Sequence, residues 1–265
     1  VCGWPCQDLS PAGGMAGLRG ARSSLFYAVL NIVGTLQQLQ PSRPPAYLLE
    51  NTAVEHNWKD PGISVKDAAA LTAAAGAPVT FDAAQFGARA HRLRSYWTNL
   101  ADTAQVTAVL SVVQRPPNLL VVDILDYPRV PAVVQVPDTP PRYVCNTPGQ
   151  PMQALPTLVA TQGSYSFRDN GTGMVFDSNL RAGCGDWAEP NPDERERAMG
   201  YATGATLAPG VTLAQRHAIL GRAIDMQALT GLLAISGALH DAGHSPSDKR
   251  TQPDQLMEAP MAHTH

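Results

Sequence analysis

Between residues 46 and 82 the chain reads strand, helix, strand, and this alternation constrains the fold more than any other feature. "AYLLEN" (46–51) is a short apolar run that finishes in a polar pair. "SVKDAAALTAAAG" (64–76) is an alanine-rich helix that Gly76 can close. "APVTFDA" is a second strand, and "RLRSYWTNL" (92–100) is a third with alternating character. Ahead of them, Leu25, Val29, Ile32, Val33, Leu36 and Leu39 recur at helical spacing between Ser23 and Gln40, and "PSRPP" ends that run. The first hundred residues therefore predict an α/β layer with a mostly parallel sheet. Gly13-Gly14 and Gly17-x-x-Gly20 read as turn glycines, because no strand leads into them as a phosphate loop requires.

After Leu100 the pattern changes. Residues 101–188 hold two apolar β-like runs, "VTAVLSVV" and "NLLVVDIL", in a stretch rich in proline and glycine, which reads as an irregular insert. Helical signals return at "NPDERERAMGY" (191–201), with Asn191 as N-cap, Pro192 at the first position and acids in the first turn. A second helix is expected from about Thr212 to His240. Residues 241–265 are polar and aperiodic, the pattern of a disordered tail. The chain has 265 residues, 44% of them hydrophobic and 15% charged, enough for a substantial core. Apolar runs long enough to span a membrane are not expected. Cys2, Cys6, Cys145 and Cys184 are scattered without a CxxC pair, which argues against a disulfide framework and against zinc. With no secretory leader legible at Val1, a reduced, intracellular protein is expected. The net charge of −3 weighs against a wholly basic nucleic-acid binder. Lysine occurs only at 59, 66 and 249, so arginine, the side chain for forked contacts to phosphates and base edges, carries nearly all the positive charge.

"GWPCQDLSPAGG" (3–14) sets Cys6 in a turn of Pro, Gly, Ser and Asp, where a thiol is presented rather than packed. This block is followed by "GLRGARSSLF", "LLENT", "PVTFDAAQFGARAHRLRSYWTNL", "DERERAMGYATGAT" and "QRHAILGRA". In this order and spacing the blocks resemble the DNA cytosine-5 methyltransferases, and the Ala-His-Arg-x-Arg run most resembles the eukaryotic de novo class. The resemblance covers about residues 3–235 and is weak from 101 to 185. It implies an incomplete class I methyltransferase (Rossmann-like) sheet in residues 1–100, a small irregular target-recognition lobe in 101–188, and C-terminal helices in 189–240 that return to the catalytic domain.

The resemblance also implies chemistry. Carbon 5 of cytosine is a poor nucleophile, and adding a thiolate to carbon 6 makes it enamine-like, so a cysteine is needed. Cys6 matches that nucleophile, flanked by Pro5 and Gln7 on the substrate side. Glu50 matches the acid that holds ring nitrogen 3, and Asn51 braces the loop. Arg92 and Arg94, two apart on a strand and so expected on one face, match the arginines that steady a flipped base and its phosphates. The methyl donor would be S-adenosylmethionine, with no metal. Leu25 and the turn Gly221-Arg222-Ala223 match the residual donor contacts, although Ala223 and Ile224 depart from the de novo pattern. The family's glycine-rich donor loop precedes the Pro-Cys block, so the reading expects an N-terminally truncated chain. A catalytically inactive DNA-binding or regulatory partner of a complete methyltransferase stands as the alternative, with a second methyltransferase-like subunit as its partner. DNA is the expected partner and the nucleus the expected location, with no membrane contact. "TLVATQGSYSFRDNG" (157–171) is expected to face DNA through Thr161, Gln162, Ser164 and Arg168, with Asp123, Asp126 and Asp138 turned away. His91, His240 and His244 lack partners at metal-ligand spacing and read as solvated.

Overall fold

A computed structural model describes residues 1–10, 13–56, 61–131, 150–168 and 172–241. The chain divides into two compact units. One comprises Val1–Phe81, Leu93–Val112 and Leu232–His265, and the other Asp82–Arg92 and Val113–Gly231. The expected tail (241–265), His244, Asp138 and Cys145 fall outside the described residues, except for Asp241.

In the first unit, β1 (Cys2–Gly3), β2 (Leu48–Thr52), β4 (Leu93–Thr98) and β3 (Val79–Asp82) form a sheet in the order β1-β2-β4-β3. α1 (Leu25–Leu39), α2 (Pro61–Ala75) and α3 (Thr103–Val112) accompany it. Leu49 and Trp97 face each other across β2 and β4, and they share one core with Trp4, Leu18, Phe26, Val54 and Leu71. Trp4 packs 4.9 Å from Phe26 and 5.4 Å from Trp97, ring centroid to centroid. Such aromatic pairs contribute about 0.5–1.5 kcal/mol each beyond area burial. Trp97 Nε1 also donates to the carbonyl of Gly76 at 3.0 Å, and Gly76 ends α2 at φ +82, where glycine carries no Cβ penalty. The helix therefore stops where its end can be tied to the sheet.

The sheet corrects one expectation. β1 runs parallel to β2, but β4 runs antiparallel to it, so the sheet is mixed. β4 also follows β3, its other neighbour in the sheet, after only a 3-10 turn, Ala83–Phe86, too short for the crossover that parallel neighbours need.

The run "VTAVLSVV" is not a strand either. Most of it lies in α3, which Asp102 starts by accepting from the N–H groups of Ala104 (2.9 Å) and Gln105 (3.1 Å), with Val106 and Leu110 buried one turn apart. A capping carboxylate and an i, i+4 apolar pair outweigh β-branched propensity there. "NLLVVDIL" becomes a 3-10 turn, Val121–Ile124. The expected boundary at residue 100 falls inside the first unit, which continues through α3.

In the second unit, β5 (Val130–Pro131), β6 (Val175–Asp177) and β7 (Asp186–Ala188) form a small antiparallel sheet. Its core gathers Val121, Ile124, Met152, Leu155, Leu158, Phe167, Met199 and Leu220. α4 (Pro192–Ala198) begins as expected, with the Asn191 side chain accepting from Glu194 N and Glu194 answering at Asn191 N. The long helix expected over 212–240 is two helices, α5 (Leu213–Arg222) and α6 (Met226–Asp241). Ala223 is extended (φ −71, ψ 153), and Asp225 Oδ1 restarts the helix by accepting from Gln227 N and Ala228 N. Taken end to end, residues 213–241 have the length and apolarity to cross a membrane, contrary to expectation. The break leaves helices of 10 and 16 residues, each shorter than the roughly 20 a span requires.

Candidate functional site

The Cys6 turn is set by backbone hydrogen bonds. The Cys6 carbonyl accepts from Leu9 N at 3.0 Å and Ser10 N at 2.8 Å, leaving the thiol partly exposed. Just before it, Trp4 is buried in the aromatic core, and its carbonyl accepts from Asn51 Nδ2 at 2.8 Å. Asn51 is itself buried, and its Oδ1 accepts from Thr52 N, so its side chain links β2 to the residue that follows β1. Pro5 and Gln7 flank the cysteine at partial exposure.

Glu50 lies beside β1 in register with Gly3. A Cβ at Gly3 would come within 3.2 Å of Glu50 Oε2, so only glycine lets the carboxylate sit there without displacement. The other oxygen, Oε1, is 3.0 Å from Arg94 Nε, and both side chains are about nine-tenths buried. Thr52 is the register partner of Arg94 and Glu50 that of Tyr96, so acid and guanidinium are diagonal neighbours on one face. The first unit thus holds a presented thiol three residues past the strand that flanks an arginine-bound acid.

Arg92 is not on the strand with Arg94. It precedes β4 and belongs to the second unit, where its guanidinium donates to the carbonyls of Ala223 (2.5 Å) and Gly221 (3.4 Å). Asp82 Oδ1 accepts from Arg92 N at 2.8 Å, so Arg92 lies just ahead of β4 rather than on it. His91, expected to be solvated, is buried, with Nδ1 2.9 Å from Asp82 Oδ2. Burial alone would raise the Asp82 carboxyl, but the hydrogen bond and charge of His91, with the N–H groups of Arg92 and Ala84, lower it below its ordinary value. Asp225 behaves in the opposite way. Its burial raises it to about 7 despite its cap contacts and the nearby Arg92 charge. His240 is exposed as expected.

The second unit also contains a network that the sequence did not reveal. Glu194, fully buried, is bound by Arg129 Nη1 and by Asp126 N at 2.9 Å. Arg195, also fully buried, reaches Glu189 at 2.5 Å and lies 5.1 Å above the Phe167 ring. Arg216 links Asp193 (2.6 Å) and Glu196 (2.7 Å), and Arg197 binds Asp126 (2.6 Å). Asp123 caps its own turn at Leu120 N. Desolvation lowers Arg195 to about 10 and, with the charges of Arg195 and Arg216, lowers His217 to about 4. The alternating "DERER" is thus a brace. The available signal was the capping box that pins its register.

The residues expected at the donor assemble no cradle within either unit. Leu25 is half-exposed on α1, and Arg222 is exposed. Gly221 is small because the backbone of residues 159 and 160 presses on it, a Cβ there falling 2.1 Å from Ala160 N. A cavity of about 20 Å³ between α1, β2 and α2, lined by Leu30, Val33, Tyr47 and Leu49, has room for about one water. No cluster of metal-ligating side chains occurs among the described residues. In the 157–171 loop, Phe167 is a buried anchor, while Thr161, Gln162 and Arg168 are exposed and Ser164 partly so.

Residues 1–65, which contain Cys6, Glu50 and Asn51, match the family described as C-5 cytosine-specific DNA methylase. The match covers the first 65 of the 265 residues, the segment that holds the Cys6 turn and β2. No curated protein matches it. Among solved structures, the Dnmt2 methyltransferase of S. pombe superposes with a TM-score of 0.54 at 18% identity, over 91% of this chain and 78% of that one. The Entamoeba histolytica methyltransferase EhMeth gives a TM-score of 0.48 at 12% identity, over 91% and 76%. The Dnmt2 likeness is one of fold alone: the mixed α/β class I methyltransferase fold, here with a partial sheet.

Proposed function

We propose that the chain carries the cytosine-handling half of a DNA cytosine-5 methyltransferase, with Cys6 as nucleophile and S-adenosylmethionine as the methyl donor of the complete reaction. The observation that carries this reading is the Cys6 turn inside the matched segment, leaving the strand that flanks the Arg94-bound Glu50. The Cys6 thiolate adds to carbon 6 of a cytosine taken out of the stack, forming an S–C6 bond. The C5=C6 electron pair moves into the ring, and Glu50 shares a proton with nitrogen 3 as charge builds there. Arg94 fixes one Glu50 oxygen, so the acid needs no reorientation during the step. Carbon 5 is then nucleophilic. Acting on DNA, such a protein would work in the nucleus of a eukaryotic cell.

The addition step is testable without a donor. Once the thiolate has added, carbon 5 takes up a solvent proton, and elimination then releases the hydrogen it carried. DNA tritiated at cytosine carbon 5 should therefore lose label to water with the wild-type chain and stay at the buffer blank with Cys6→Ser. Equal release by both would sink the assignment. DNA binding without any release would favour the alternative, an inactive DNA-binding partner of a complete enzyme.

A further inference from the structure

We propose that Asp8 is a positioning residue that holds the Cys6 turn in place, and that Gly20 is glycine to make room for it. The inference rests on the reading of Cys6 as nucleophile and adds a residue through which that thiol is aimed. Asp8 sits at the centre of the turn whose ends are Cys6 and Ser10. Its Oδ2 reaches away from the turn to accept from Arg22 N at 3.0 Å and Ser23 N at 3.1 Å, just ahead of α1. Its carbonyl accepts from Gly17 N at 2.8 Å. One residue thus ties the turn to the α1 approach through both backbone and side chain. Charge-assisted bonds from a carboxylate to backbone N–H groups are among the stronger ones available.

The approach is close. A Cβ at Gly20 would fall 2.3 Å from Asp8 Oδ2 and 2.5 Å from its Cγ. Yet Gly20 has φ −63 and ψ 146, a conformation that alanine adopts freely. Glycine at 20 is therefore required by the carboxylate and not by the backbone. The far end of the same loop is held from outside, Leu18 N donating to Asp67 Oδ2 at 3.2 Å, so the freedom that Asp8 removes is on the Cys6 side.

Peptide-resolved alkylation of the native chain by iodoacetamide tests this, with exposed Cys2 as internal reference. Asp8→Ala deletes the acceptor, and Gly20→Ala keeps it but displaces it. Each should raise Cys6 alkylation relative to Cys2 by about threefold or more, since a released turn exposes a thiol that is now partly covered. Asp8→Asn retains an oxygen acceptor at the same place and should stay close to wild type, which a general loss of stability would not produce. Unchanged Cys6 alkylation in folded Asp8→Ala and Gly20→Ala overturns the proposal, as does an Asn variant indistinguishable from Ala. Alkylation needs neither DNA nor donor. If the tritium release fails while the alkylation pattern holds, the nucleophile reading falls and Asp8's hold on the turn stands.

Discussion

The two units use charge in different ways. In the second, ionised side chains close on one another: Arg129 on Glu194, Arg195 on Glu189, Arg216 on Asp193 and Glu196, Arg197 on Asp126. In the first, Glu50, on the strand beside β1, is paired with Arg94. Its second carboxylate oxygen faces a glycine, and the neighbouring thiol is partly open to solvent. In sequence Arg195 in "DERER" and Arg94 in "HRLR" look alike, both lying in short charged runs of the expected blocks. What separates them is how completely each group is partnered after folding. Closed networks hold a lobe together, whereas a site keeps a reactive atom turned outward.

The largest effect that could break this contrast is loss of the second unit's brace. Arg195→Ala leaves Glu189 with only Gly163 N and the more distant His217 as partners, and removes the cation above Phe167. Breaking a buried ion pair on one side costs about 3–5 kcal/mol, so the denaturant midpoint should fall steeply. A midpoint shift worth less than about 1 kcal/mol would place Arg195 outside the brace.

Next in size is a pH effect at Asp225. Its folded pKa, about 7, lies above its ordinary value near 3.8, so between these the native state binds more protons than the unfolded state. Stability therefore falls as pH rises from about 4 to 7, and the cost of the buried charge is fully present above pH 7. Asp225→Asn keeps an oxygen to cap α6 and removes the charge. With each pKa unit worth about 1.4 kcal/mol, the variant should gain on the order of 2–4 kcal/mol over wild type at pH 8 and nothing at pH 3. Unfolding curves at the two pH values check it, and a gain that does not depend on pH would contradict the linkage.

Glu50→Gln tests the other side of the contrast. If Glu50 belongs to a site, tritium release from cytosine carbon 5 should fall by about a hundredfold, within the range for a positioned acid or base. The unfolding midpoint should move little, because the amide keeps an oxygen toward Arg94. A large loss of stability with release intact would make the Glu50–Arg94 pair another brace.

Local signals in the sequence were reliable guides. The apolar spacing that marks α1, the Gly76 stop of α2, β2 with its terminal Glu50-Asn51, and the Asn191-Pro192 start of α4 all depend on neighbours a few residues away. Elements decided by distant partners were not legible. Arg92 read as a strand residue, but it lies ahead of β4, with its N–H on Asp82 and its guanidinium on the Ala223 carbonyl, partners far away in sequence. His91 read as solvated because its partner, Asp82, lies nine residues earlier. The break at Ala223 did leave a trace: Asp225 inside an apolar run is a capping residue where a continuous helix has no use for one. Asp102 was a similar trace before α3.

The smallest expected effect concerns Arg168, where the contrast predicts a side chain of the second unit outside the brace. Arg168 is exposed, while its neighbour Phe167 is buried and holds the 157–168 segment to the core. Thr161 and Gln162 on the same segment are also exposed, so the loop offers hydrogen-bond partners without disturbing the packing beneath it. Arg168→Ala should leave the unfolding midpoint within about 0.5 kcal/mol of wild type, as expected for a surface change. If Arg168 meets a phosphate, DNA affinity should weaken for all sequences alike, and the slope of log affinity against log salt should shrink by about one contact. If it reads a base edge, the salt slope should hold and discrimination among bases flanking the target cytosine should relax by about 1–3 kcal/mol. Affinity titrations at several salt concentrations on two flanking sequences separate these outcomes. Unchanged affinity, slope and preference together would remove Arg168 from the DNA-facing surface.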